Sequence, residues 1–155
     1  MSIVIGIDPD ADRYGVAIYK NSKLCELHRM RVIELFKLAI DYRILKCVVV
    51  IEDVKKNSFI FSRNEKKNEF VQNKVAQSVG MCKQAQNVAE QIFEHYGIKM
   101  IKQEPIKGNW APAKMKPQFQ QITGWQGRSN EDTRSAAFLA FLHLERVRQE
   151  GLKNG

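Results

Sequence analysis

Ile3-Val4-Ile5-Gly6-Ile7-Asp8-Pro9-Asp10-Ala11-Asp12-Arg13-Tyr14-Gly15-Val16-Ala17-Ile18-Tyr19 is the stretch whose reading decides the fold. Two apolar, β-rich runs, 2–8 and 14–20, flank a short polar turn, which predicts a strand pair. The first run ends on Asp8. A carboxylate at the end of a buried strand is an unfavourable place for a charge, because burial disfavours the ionised form. Pro9 and Asp10 already supply turn chemistry, so Asp8 is read as functional rather than as a turn residue. A metal ion would compensate the charge if other acids reach the same point. Glu52 and Asp132 are the candidates.

Working outward, 23–30 predicts a third strand. Val32, Leu35, Phe36 and Ala39 fall at helical spacing and predict a helix over 31–44. Cys47-Val48-Val49-Val50-Ile51 lacks alternation, as expected of a strand covered on both faces, and it leads into Glu52. The segment 53–68 is polar and reads as a loop. From Glu69 to about Tyr96, Val75, Val79, Cys82, Ala85, Ala89 and Phe93 recur at threes and fours, predicting a long helix stopped by Gly97. Ile98 to Ile101 is a short strand. Lys116 to Ile122 is a short helix opened by Pro117. Ser129 or Asn130 caps a final helix with Glu131 and Asp132 in its first turn. The fold class expected is α/β, a mixed five-stranded sheet with helices on both faces. Residues 1–155 form one domain in this reading, with a polar tail after about Gln149 expected to be disordered.

The 25 basic residues outnumber the 17 acidic ones, for a net charge of +8, which favours an anionic partner such as nucleic acid. No signal peptide or membrane-length apolar run is visible. Cys25, Cys47 and Cys82 form no CxxC pair and are odd in number, which argues against a zinc site or a disulfide framework and fits a cytoplasmic setting.

Taken alone, Glu52 could face solvent at a strand end, and Asp132 could be an ordinary first-turn acid favoured by the helix dipole. Geometry changes the balance. If the first strand and the Cys47–Ile51 strand are parallel neighbours, Asp8 and Glu52 emerge at one sheet edge. Asp132, Ser135, Ala136 and Ala140 share one helix stripe, and the two alanines let that helix lie close on the sheet. Three carboxylates there suit magnesium or manganese. Two such ions, roughly 3.5–4 Å apart, can clamp the attacking and leaving oxygens of phosphoryl transfer. A basic protein with such a site reads as a nuclease.

At these residues the chain resembles the RuvC family of Holliday-junction resolvases, within the ribonuclease H-like fold, over about residues 1 to 147. Ile5-Gly6-Ile7-Asp8-Pro9 with Tyr14-Gly15-Val16-Ala17 looks like the family's first strand pair and first catalytic acid. Val50-Ile51-Glu52-Asp53-Val54 resembles the strand of its second acid, and Gln77-Ser78-Val79-Gly80 through Ala89 its long helix. Lys114-Met115-Lys116-Pro117-Gln118 resembles the lysine-bearing stretch near the active site, and Asp132-Thr133-Arg134-Ser135-Ala136-Ala137 the closing acidic motif. The short length and divergent middle look most like phage-type members.

The resemblance implies a homodimer that places two metal-dependent active sites on a four-way junction and nicks paired strands. It implies a host bacterial cytoplasm if the chain is phage-encoded. Asp8, Glu52 and Asp132 would hold the ions, Lys116 would support the phosphate, and Ser135 stands where the family has a second acid on the last helix. Glu131 is a possible substitute but points about 100° away. Lys55 stands where the family has an aromatic residue, so structure-selective cleavage with relaxed sequence choice is expected. Candidate DNA contacts are Lys55, Lys56, Arg63, Lys107, Lys114 and Lys116, with Phe59 or Phe61 stacking on opened bases. Trp110 and Trp125 read as core edge and His143 as structural. The apolar stripe of the long helix could form a dimer seam. Rival readings are a non-catalytic branched-DNA-binding protein and a ribonuclease H-like nuclease acting on RNA–DNA hybrids or flaps. A sugar-kinase-like ATPase is disfavoured, because Pro9 breaks its pattern and no second Gly-rich loop follows.

Overall fold

The computed structural model of the chain describes residues 1–56 and 68–154, so Phe59, Phe61 and Arg63 lie outside the described residues. Five strands form one sheet: β1 (Ile3–Asp8), β2 (Tyr14–Lys20), β3 (Lys23–Met30), β4 (Cys47–Glu52) and β5 (Lys99–Gln103), in the order β3-β2-β1-β4-β5. The β1–β2 and β2–β3 pairs are antiparallel, and the β1–β4 and β4–β5 pairs are parallel. Asn21 and Ser22 take positive φ angles of 51° and 66° in the two-residue β2–β3 connection, the mirror-image turn whose twist suits a hairpin.

Helices α1 (Val32–Tyr42) and α2 (Glu69–His95) cover one face. Helices α3 (Lys116–Thr123) and α4 (Glu131–Asn154) cover the other. Alternation along the strands divides the core accordingly. Ile3, Ile5, Ile7, Val16, Ile18, Val49 and Ile51 pack with Leu35, Ala89 and Phe93. Val4, Ala17, Tyr19 and Val50 pack with Trp110, Phe119, Ala136 and Ala140. Because β1 and β4 bury both faces, they read as unbroken apolar runs. Trp110 is fully within the core, tilted against Phe119, Phe138 and Phe141. No helix among the described residues is long and apolar enough to cross a membrane.

The helix ends follow from local chemistry. Asn68 caps α2 by accepting from the Val71 N–H at 2.9 Å. At the other end Gly97, with φ 68°, lets its own N–H reach the Glu94 carbonyl and the Ile98 N–H reach the Phe93 carbonyl. Asn130, rather than Ser129, caps α4: its side chain accepts from the Thr133 N–H at 2.8 Å, and Thr133 Oγ1 accepts from the Asn130 N–H at 2.9 Å. Helix α4 runs on to Asn154, past the point where a fraying tail is expected from the sequence. Arg148, Gln149, Glu150, Leu152 and Lys153 are all good helix formers, and Glu145 and Arg148 pair one turn apart at 2.9 Å.

Two glycines bring α4 onto the sheet. A Cβ at Gly6 would overlap the Ala136 carbonyl and come within 3.3 Å of the Ala140 Cβ. A Cβ at Gly15 would overlap the Asp132 carbonyl and lie 3.0 Å from its Cβ. The helix backbone therefore rests directly on β1 and β2, and that contact places Asp132.

Candidate active site

Asp8 ends β1 and Glu52 ends β4. The parallel register pairs Ile7 with Ile51, so the two acids emerge together at one sheet edge. Their carboxyl groups hydrogen-bond to each other, and the Ser135 hydroxyl hydrogen-bonds to Asp8. Ser135 is only 6% exposed, held on α4 one turn after Asp132. A cleft of about 420 Å³ opens over these groups, and Asp8, Asp10, Glu52 and Asp132 all line it, with Ser78, Val79 and Cys82 of α2 on the far wall.

The electrostatics of the cleft run in one direction. Burial, then the charges of Glu52 and Asp132, push the Asp8 carboxyl well above the usual carboxylate range, and the Ser135 hydrogen bond opposes this. Burial raises Glu52 as well, while the hydrogen bond from Asp8 works against the rise. Asp132 is raised by burial, then by Asp10 and Glu131, with Arg29 pulling the other way. Among the described residues, no basic side chain lines the cleft. A site that prefers protons to bare carboxylates, and whose donors are hard oxygens, is short of positive charge and fits a magnesium- or manganese-type cation. In this conformation no three His, Cys, Asp or Glu side chains among the described residues are grouped so as to hold a metal ion; Asp8 and Glu52 are engaged with each other.

These shifts have a consequence for stability. An acid whose folded pKa is raised binds more protons when native than when unfolded, so its contribution falls as pH rises from its ordinary value through the raised one. Metal-free protein should therefore lose stability from the cleft between mildly acidic and neutral pH. Glu26, Glu34 and Glu90 are shifted the opposite way, so the effect is read as a difference against Asp8→Asn. Denaturant unfolding in chelator across this range should show the variant gaining on the wild type as pH rises. Parallel profiles would contradict the coupling.

The remaining candidates are placed differently. Lys107, Lys114 and Lys116 are exposed, and none of them lines the cleft. Lys55 and Lys56 are engaged in ion pairs, Lys55 Nζ with Glu90 Oε2 and Lys56 Nζ with Glu104 Oε1, each at 3.0 Å. Lys102 shares Glu90 at 3.1 Å. Gln86, fully buried, donates to Asp53 at 3.0 Å and Glu90 at 3.1 Å and accepts from the Lys55 N–H at 3.3 Å. This network ties the chain leaving Glu52 to α2. The proposed dimer stripe splits: Gln86, Ala89 and Phe93 are buried in this chain's own core, while Val79 and Cys82 overhang the cleft.

Asp10 and Cys82 are the cleft residues that the sequence reading passed over. Asp10 had been assigned to turn chemistry, and it does accept its neighbour's N–H at 2.8 Å, yet it also lines the cleft beside Asp132. The Cys82 thiol lies 3.9 Å from Asp10 Oδ1. Their common signal was spacing: Asp10 lies two residues beyond Asp8, and Cys82 follows Val79 on one helix stripe.

No protein-family model matches the sequence, and no curated protein sequence matches it. Solved structures do match. The chain superposes on Thermus thermophilus RuvC in complex with a Holliday junction substrate with a TM-score of 0.65, at 15% identity over 97% of both chains. A second Thermus thermophilus RuvC structure gives 0.61, at 14% identity over 96% of both. The chain thus shares the mixed five-stranded α/β fold of these RuvC structures.

Proposed function

We propose that this chain is a divalent-metal-dependent endonuclease that resolves Holliday junctions and other branched DNA by paired nicking. The observation that carries the reading is the convergence of Asp8, Glu52 and Asp132 on one cleft that has no basic lining residue among those described and in which all three carboxyls are raised. The shared fold with a structure solved on a Holliday junction substrate supports it.

Asp8, Glu52 and Asp132 would hold magnesium or manganese, with Asp10 at the rim as a fourth carboxylate. Bound there, the metal supplies the Lewis acidity that activates water and offsets the charge developing on the phosphate. The chain's own residues do the rest. Any proton held between Asp8 and Glu52 would pass to solvent as the ion binds, leaving both as full carboxylates. Ser135, donating to Asp8, fixes its orientation in place of a further acid. Val54, Val79 and Cys82 contribute the apolar part of the cleft wall. Lys107, Lys114 and Lys116 are exposed cations for the DNA backbone, and Lys116 is the one assigned to the phosphate being cut. Paired cuts require two copies of the site, hence a homodimer. The phage-type assignment and relaxed sequence choice belong to the same proposal.

A direct comparison tests it. Mobile four-way junctions of varied core sequence, a flap, an RNA–DNA hybrid and plain duplex are incubated with the protein and magnesium. Symmetric nicks in the junctions, with little cutting of duplex, are expected. Preferential cutting of the hybrid, or tight junction binding without nicks, would overturn the reading. One sharply preferred core sequence would remove the relaxed-choice part alone.

A further inference from the structure

The sheet register aligns three residues across three strands: Asp8 opposite Gly15, and Gly15 opposite Arg29. Directly opposed residues share a face, so Arg29 rises on the same side as Asp8, the side that α4 covers. Two strand spacings separate the backbones, about 10 Å. Asp132 sits over Gly15 between them, and the Arg29 charge acts on its carboxyl.

Beyond Asp132 lies a second hollow, about 390 Å³, with Arg29, Arg128, Ser129 and Asn130 among its walls. Its chemistry is the reverse of the acidic cleft: among the described residues no carboxylate lines it. Neither Arg29 nor Arg128 forms a salt bridge within the described residues, whereas Lys20, Arg31, Lys56 and Arg148 do. His28 also lines the hollow but is engaged with Glu26 at 3.0 Å, and Asn130 and Thr133 are engaged with each other.

The wall behind the hollow adds a second, independent observation. Arg134 is only 4% exposed, and its guanidinium meets the Trp110 carbonyl at 3.0 Å, the Ala111 carbonyl at 2.8 Å and Ser129 Oγ at 3.0 Å. Among the described residues it has no carboxylate partner, whereas buried charges are ordinarily paired. By accepting from Arg134, Ser129 Oγ leaves its own O–H to donate, and Ser129 faces the hollow. Two exposed guanidinium groups and a hydroxyl polarised from behind by a buried cation line one hollow, and that chemistry suits a phosphate-type anion.

We propose that this hollow holds a phosphodiester of the strand being cut, flanking the scissile phosphate, with Arg29 and Arg128 as positioning residues and Arg134–Ser129 as their buried support. This rests on the nuclease reading above, and the assignment of Arg29 and Arg128 is new to it. A strand running from the acidic cleft past Asp132 would be gripped on one side of the cut, which sets the register of the scissile phosphate over Asp8.

The test is a neutral-phosphate scan. Junctions carrying one methylphosphonate at each backbone position near the crossover in turn are bound to wild-type protein, Arg29→Ala, Arg128→Ala and the double variant, in chelator. Both arginines are exposed, so folding should be unaffected, and circular dichroism checks it. Wild type should lose affinity about tenfold at one position beside the nick. The double variant should show that loss on the unmodified junction and then be indifferent to that methylphosphonate, with the slope of log affinity against log salt smaller by about one. Arg29→Lys should recover part of the loss. Identical scans for wild type and double variant, or an unchanged salt slope, would overturn the assignment. A wild type that binds junctions with this pattern but never nicks them would instead defeat the nuclease reading and leave the phosphate site standing.

Discussion

Asp8→Asn should reduce nicking by about a thousandfold or more, equivalent to roughly 4 kcal/mol of barrier, while junction affinity changes little. The substitution keeps the shape of the side chain and its ability to accept from Ser135, and it removes one charge from the centre of the acidic cleft. Asp8 is the carboxyl on which the others act: Glu52 bonds to it, Asp132 repels it, and Ser135 orients it. In the proposed function binding would draw instead on basic side chains outside the cleft, so it should persist or tighten slightly as a negative charge near the DNA is lost. Gel-shift affinity and a single-turnover nicking rate on the same preparation separate the two effects. A variant that cuts at the wild-type rate with magnesium would remove Asp8 from the chemistry.

Gly15→Ala is the second large effect, and it acts without touching a charged group. The added Cβ would overlap the Asp132 carbonyl, a backbone atom that cannot swing aside. Helix α4 must lift or β2 must bend. Overpacking of this kind typically destabilises by about 1–3 kcal/mol, or roughly 2–12 °C in Tm for a chain of this size. Lifting α4 also moves Asp132 away from Asp8, and misplacement by an ångström can reduce a rate about a hundredfold. Gly80→Ala is the matched control: a Cβ there meets nothing within 4 Å, and the position is helical, so stability should hold or rise slightly. Thermal unfolding and nicking rates of the two variants, measured together, check the claim. If Gly15→Ala melts and cuts like the wild type, the direct seating of α4 on β2 is not what positions Asp132.

Much of the architecture was legible because burial on both faces leaves a plain signature. The unbroken runs Ile3–Ile7 and Cys47–Ile51 could only be covered strands of this length, and their parallel pairing brought Asp8 beside Glu52 as expected. Asp132 was reachable from helix phase and from the small residues Ala136 and Ala140. The glycines that complete this approach were legible as a motif but not as a contact, since only the seated helix shows what a Cβ would strike.

What stayed hidden depends on register and on partners distant in sequence. Arg29 lies on an edge strand whose alternation says nothing about which residue of β1 it stands beside; the Asn21-Ser22 turn and the β2 register decide that. Arg134 stands in the sequence only as part of the closing acidic motif; two loop carbonyls and Ser129, distant or irregular in the chain, enclose it. Lys55 and Lys56 read as DNA contacts because their acidic partners, Glu90 and Glu104, lie more than thirty residues away. Ser135, where a carboxylate was expected, is bonded to Asp8 from a buried position, so the helix contributes orientation where the motif would have contributed charge.

The central claim is that Asp8, Glu52 and Asp132 form a cation site. A crystal soaked in manganese tests it most directly through the anomalous signal. The account predicts a peak bounded by those three carboxylates, with the Asp8–Glu52 hydrogen bond broken, and no such peak in Asp8→Asn. Manganese found only elsewhere, with Asp8 and Glu52 still hydrogen-bonded to each other, would contradict it.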